Sequence, residues 1–61
     1  MHMHQTLREL RLKLHLKQAE VAQAVGVTQG SVSLWEHNRS LPDRDKIPLL
    51  AKLFDVPEQV L

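Results

Sequence analysis

The chain has 61 residues, eight Lys/Arg against seven Asp/Glu for a net charge of +1, and no cysteine. A chain this short is one domain, residues 1–61, and buries only about 60% of the surface its unfolded form exposes, so a substrate pocket has no room and pairing with a second copy is useful. Lack of cysteine excludes a disulfide framework and a thiolate zinc site, and no apolar run is long enough for a bilayer or a signal segment, so a soluble cytoplasmic protein with no membrane partner is expected.

Leu7, Leu10 and Leu14 recur at helical spacing among Arg8, Glu9, Arg11 and Lys13. Thr6 followed by Glu9 has the pattern of a capping box, so helix one is expected to open at Thr6 and end near His15 or Leu16. From Gln18, AEVAQAV puts Val21, Ala22 and Val25 on one face of a helix of roughly two turns, closed by Gly26 in the left-handed conformation. Thr28 caps a third helix with Val32 and Trp35 inward, running to about His37 or Asn38, and Asn38 also tolerates a left-handed C-cap. NRSLPD is turn chemistry, and LLAKLF a buried helix four. Pro48 fits in a first turn, so regular hydrogen bonding is expected from near Arg44 or Asp45. Pro57 opens a last turn through Leu61, and no strand pattern, repeat or linker is present. The fold class is all-α.

Two short helices joined by a glycine-bearing turn have the pattern of a helix-turn-helix, here at about residues 18–38. LRELRLKLHLKQAEVAQAVGVTQGSVSLWEHNRSLP, continued by LLAKLFDV, resembles the Cro/C1-type (XRE-like) helix-turn-helix domains of lambdoid phage repressors and Cro proteins. The resemblance spans nearly the whole chain and is carried by Arg11, Gln18, Glu20, Ala22, Gly26, Thr28, Ser33, Glu36, Pro42, Leu50 and Ala51. It implies a compact five-helix, lambda-repressor-like bundle and a prokaryotic or viral transcription regulator, a repressor by preference, in a prokaryotic cell or its nucleoid. It also implies that segment 29–37 lies in the major groove of a double-stranded operator. Three positions depart from the family pattern. Lys17 replaces a small capping residue, Asn38 replaces a glycine and Leu34 replaces a long polar side chain. The first two lower stability and the third bears on specificity.

With Val32 and Trp35 turned inward, helical rotation leaves Gln29, Gly30, Ser33, Leu34 and His37 on the open side. The resemblance assigns base reading to Gln29, Gly30, Ser33 and Leu34. Glutamine suits adenine N6 and N7, serine bonds either way, leucine meets a thymine methyl, and Gly30 lets the helix sit deep. Phosphate contacts fall to Gln18, where the amides of helix two are free, to Thr28, Ser31, His37 and Asn38, and to Arg39 and Ser40 in the loop beyond. Thr28 has a second reading as a plain N-cap.

Arg11 and Glu36 occupy positions that pair in this family, so they are assigned a structural salt bridge rather than chemistry. Asp43 and Asp45 are read as capping and dipole residues, and Glu9, Lys13, Glu20 and Lys52 as solvated. His2 and His4 form an HxH pair, poor metal geometry without further ligands, so no metal and no cofactor are expected. An enzyme is excluded, because no nucleophile stands beside a base and no phosphate loop exists. The competing class is an antitoxin or protein-binding adaptor built on the same fold. An apolar edge of Val56, Pro57, Val60 and Leu61 points to a homodimer that is weak in solution and favoured on a palindromic operator.

Overall fold

The computed structural model describes residues 3–61, with α1 (Met3–Lys13), α2 (Gln18–Val25), α3 (Gln29–Glu36) and α4 (Ile47–Phe54). Two short 3-10 turns, Arg44–Lys46 and Glu58–Val60, complete the regular structure, and no strand occurs among the described residues. The expected fifth helix is therefore a correction. After Pro57 the amides of Val60 and Leu61 donate only three residues back, to Pro57 and Glu58, so this segment closes as one 3-10 turn. His2 lies outside the described residues, as does the side chain of His4, and with them the HxH pair.

Helix α1 starts earlier than its capping pattern implied. Met3 packs against the core, which makes the turn before Thr6 worth forming, and Thr6 is a buried residue inside the helix rather than its cap. Leu14 is also displaced from the core, at 46% exposure, because the helix ends at Lys13 and the chain turns so that Leu16 packs inward instead.

The core consists of Leu7, Val21, Ala22, Val25, Val32, Trp35, Leu50 and Phe54, drawn from all four helices. Each large apolar side chain fully buried there stabilises the fold by about 1.5–3 kcal/mol, so a few contacts decide whether so small a domain stands. Helix α3 packs against both α1 and α2, and α4 packs against α2, which leaves the remaining side of α3 uncovered.

All four helices end in one way. His15, Gly26, Asn38 and Asp55 adopt φ between 56° and 76°. The next amide then donates to a carbonyl five residues back: Leu16 to Arg11, Val27 to Ala22, Arg39 to Leu34 and Val56 to Ala51, at 2.9–3.0 Å. Such endings usually place an apolar residue after the left-handed one. Leu16, Val27 and Val56 obey and pack against the core. Arg39 does not, and it is exposed at the end of α3.

Candidate nucleic-acid interface

Thr28 stands in extended conformation before α3, and its Oγ1 accepts the Ser31 amide at 3.2 Å, so it is the helix N-cap. The Ser31 hydroxyl lies 3.1 Å from the same oxygen, which couples two of the expected phosphate-contacting residues to one another. Between α2 and α3 the chain needs only Gly26, Val27 and Thr28, with Gly26 at φ 76°. The two helices are thus held at a fixed angle by a three-residue turn.

Helix α3 has eight residues, about 12 Å of helix, and with its side chains a helix is about 10–12 Å across, which a B-DNA major groove admits. Val32 and Trp35 are buried at its back. Gln29, Gly30 and Leu34 are exposed and Ser33 is half-buried on its open side. Gly30 is not demanded by the protein itself, since a Cβ there would meet nothing nearer than Thr28 Oγ1 at 3.8 Å. Leu34 is 48% exposed with no apolar partner to explain it in the core.

Residues 18–40 contain two acids, Glu20 and Glu36, and of these only Glu36 lies on α3. Glu36 turns inward, its side chain 3% exposed, and takes two hydrogen bonds from Arg11, Nε to Oε2 at 2.6 Å and Nη2 to Oε1 at 2.8 Å. Arg11 Nη1 also donates to the Leu16 carbonyl at 3.0 Å, which ties the same guanidinium to the end of α1. Burial pushes the Glu36 carboxyl up, but hydrogen bonds from Arg11 and Gln18 and the charges of Arg11 and Arg8 outweigh it and hold the pKa below the usual glutamate value. The hydrogen bond to Glu36 raises Arg11 in turn, against its own burial.

Gln18 Nε2 donates to Glu36 Oε1 at 3.2 Å, a contact that sequence reasoning missed. It brings the start of α2 against the end of α3. Gln18, His37, Asn38, Arg39 and Ser40 therefore gather at one end of the stretch expected to read bases, with Thr28 and Ser31 at the other. Glu20 is a second omission. It is exposed, as its solvated reading implies, and in addition its Oε1 accepts the Lys17 amide at 2.8 Å, the reciprocal half of a capping box. The Lys-x-x-Glu spacing carried that signal, hidden by a lysine that has no acceptor to complete it. Asp43 makes no side-chain cap bond, and Asp45 reaches only Lys46, at 3.7 Å, so their reading as caps is corrected.

Among the described residues no group of three or more His, Asp or Glu side chains is placed to hold a metal ion, and no helix is long and apolar enough to cross a membrane. A helix-turn-helix family model matches residues 7–61. Among solved structures, the P22 c2 repressor in complex with synthetic operator 9T is similar, at 27% identity and a TM-score of 0.93 over 100% of this chain and 94% of that chain. No curated protein matches. The turn at Gly26, the buried Arg11–Glu36 pair and the family match over residues 7–61 agree, and the chain belongs to the Cro/C1-type helix-turn-helix family of DNA-binding domains.

Proposed function

We propose that the chain is a sequence-specific, double-stranded DNA-binding transcription regulator, a repressor that lays α3 in the major groove of its operator. The observation that carries this reading is the open face of α3. It is polar or neutral along Gln29, Gly30, Ser33 and Leu34, its one acid is turned inward and neutralised, and Arg39 stays in solvent where three sibling helix ends bury an apolar residue. A face without anions and with donors at both ends suits a polyanion whose bases present donors, acceptors and methyl groups.

Gln29, Gly30, Ser33 and Leu34 read bases, while Gln18, Thr28, Ser31, His37, Asn38, Arg39 and Ser40 hold phosphates on either side. The relative whose structure is similar is a repressor bound to an operator, which supports the same class of partner here. Two copies bind a roughly palindromic site. Val56 and Leu61 turn toward the core, so the apolar edge left for a second copy is small, with Val60 at 46% exposure, and association without DNA is weak.

Selection from a random duplex pool followed by footprinting tests the reading. An enriched palindrome protected in both half-sites is the expected result. A pool that emerges unenriched, with no duplex retained over its competitors, overturns it in favour of a protein-binding adaptor.

A further inference from the structure

His37 caps α3, and its ring is exposed. Its Nδ1 lies 2.7 Å from the Ser33 carbonyl oxygen and 3.4 Å from the Ser33 hydroxyl. A carbonyl only accepts, so the short contact requires the proton on Nδ1; the longer hydroxyl contact is too weak to reverse that choice. The bond is local, and the same carbonyl also receives the His37 amide at 3.0 Å in ordinary helical fashion. With Nδ1 occupied, the nitrogen left for a partner is Nε2. In the neutral ring Nε2 is an acceptor, and a phosphate oxygen is an acceptor too. The two cannot bond.

We propose that His37 holds a DNA phosphate only as the imidazolium, so that operator binding takes up one proton at this residue. The inference rests on the DNA-binding reading above and adds to it a linkage between affinity and pH. Protonation turns Nε2 into a donor without disturbing the Ser33 bond, so the switch needs no rearrangement of the ring. The end of a helix favours a cation, and a phosphate adds to that preference.

Helices α1 and α2 pack against α3. From α1, Arg8 and Arg11 act on Glu36, whose carboxylate is already paired. From α2, Glu20 is bonded to the Lys17 amide. Arg39 follows in the loop, and the hydrogen-bond partners of the His37 ring both belong to Ser33. Among the described residues no carboxylate pairs with the ring.

The experiment titrates the intact chain and the variants His37→Gln and His37→Lys with a selected duplex and with random duplex, between about pH 6 and about pH 8, at several salt concentrations. One linked proton changes affinity by at most about tenfold per pH unit. The expected result is that the unmodified chain loses about three- to tenfold more affinity than His37→Gln as pH rises, on both duplexes alike. Its salt slope is steeper by about one per bound subunit at the acidic end, whereas that of His37→Gln is constant. His37→Lys, with a fixed charge, binds at the alkaline end as the unmodified chain does at the acidic end. Parallel pH curves for the unmodified chain and His37→Gln overturn the inference, and so does a linkage confined to the selected duplex, which would make His37 a reader of bases. Failure of any duplex to bind at any pH overturns the DNA-binding reading itself.

Discussion

Arg11 and Glu36 face each other along two parallel hydrogen bonds, 2.6 and 2.8 Å, that join α1 to the last turn of α3 across 25 residues of sequence. Glu36 is buried and Arg11 largely so, with side-chain exposures of 3% and 12%, so removal of one partner strands a charge rather than merely deleting a contact. Glu36→Gln and Arg11→Met are each expected to cost roughly 3–5 kcal/mol of folding stability. Urea titration at neutral pH measures this, and a loss below about 1 kcal/mol would place the pair among weak surface bridges instead.

The same pair sets an acid limit. The folded-state pKa of Glu36 lies below its unfolded value, so its contribution is full above the ordinary glutamate pKa of about 4.3 and is lost as pH falls through the lower folded value. Stability of the unmodified chain should decline on acidification through that window. Glu36→Gln should decline less, and equal slopes for the two in thermal melts at graded pH would remove Glu36 as the cause.

Two positions depart from the family pattern at a cost that substitution recovers. Lys17 precedes α2 in extended conformation without accepting a first-turn amide, so Lys17→Ser should complete the box that Glu20 half forms and add about 1 kcal/mol. Asn38 sits at φ 57°, where Asn38→Gly relieves a left-handed side chain and should add up to about 1 kcal/mol, less the greater flexibility of the unfolded glycine chain. Each midpoint shift is read in denaturant; an unchanged or lowered midpoint for Lys17→Ser contradicts the capping argument.

What the sequence made legible follows from periodicity and end signals. Val21, Ala22, Val25, Val32 and Trp35 are core because their spacing leaves them no other face, and Gly26 ends α2 in the left-handed region without the side-chain cost that His15, Asn38 and Asp55 bear at the other three helix ends. Thr6 misled because its capping pattern is local, whereas the helix start was decided by Met3 reaching the core. Leu14 misled for the related reason that periodicity does not know where a helix stops. The Gln18–Glu36 bond joins residues on different helices, and nothing in either neighbourhood announces it. Exposure of Arg39 became informative only when four helix ends could be laid side by side.

Gly30 separates folding from binding. Its site has room for a methyl group, so Gly30→Ala should leave the fold intact and raise stability by up to about 1 kcal/mol. If the missing side chain lets α3 approach the bases, the same change weakens the selected duplex. Unfolding and DNA titrations of one variant decide it, and gains in both would give Gly30 no role in docking.

Size bears on assembly. A single eight-residue helix laid in a major groove would read few bases, and the exposed edge at Val60 is small, so the chain should sediment largely as a monomer alone and as two copies on a selected palindrome. A strict one-to-one complex on the best palindrome would refute the dimeric arrangement.

Reading and holding come apart in the last comparison. Gln29 is exposed on the open side of α3, where a side-chain amide can bond adenine N6 and N7 together. Gln29→Ala should therefore lose about 1–3 kcal/mol on the cognate site and relax preference at one base pair, with random DNA little changed. Arg39 lies beyond the helix with its side chain in solvent, so Arg39→Ala should weaken cognate and random DNA alike and lower the salt slope by about one per bound subunit. Leu34→Gln should alter which base is preferred without abolishing binding, because it exchanges an apolar contact for a hydrogen-bonding one at an exposed position. Circular dichroism first shows all three variants folded, and each is then titrated against single-base operator mutants at several salt concentrations. Uniform weakening by Gln29→Ala together with a changed base preference in Arg39→Ala would invert the two roles, and with them the seat of α3 in the groove.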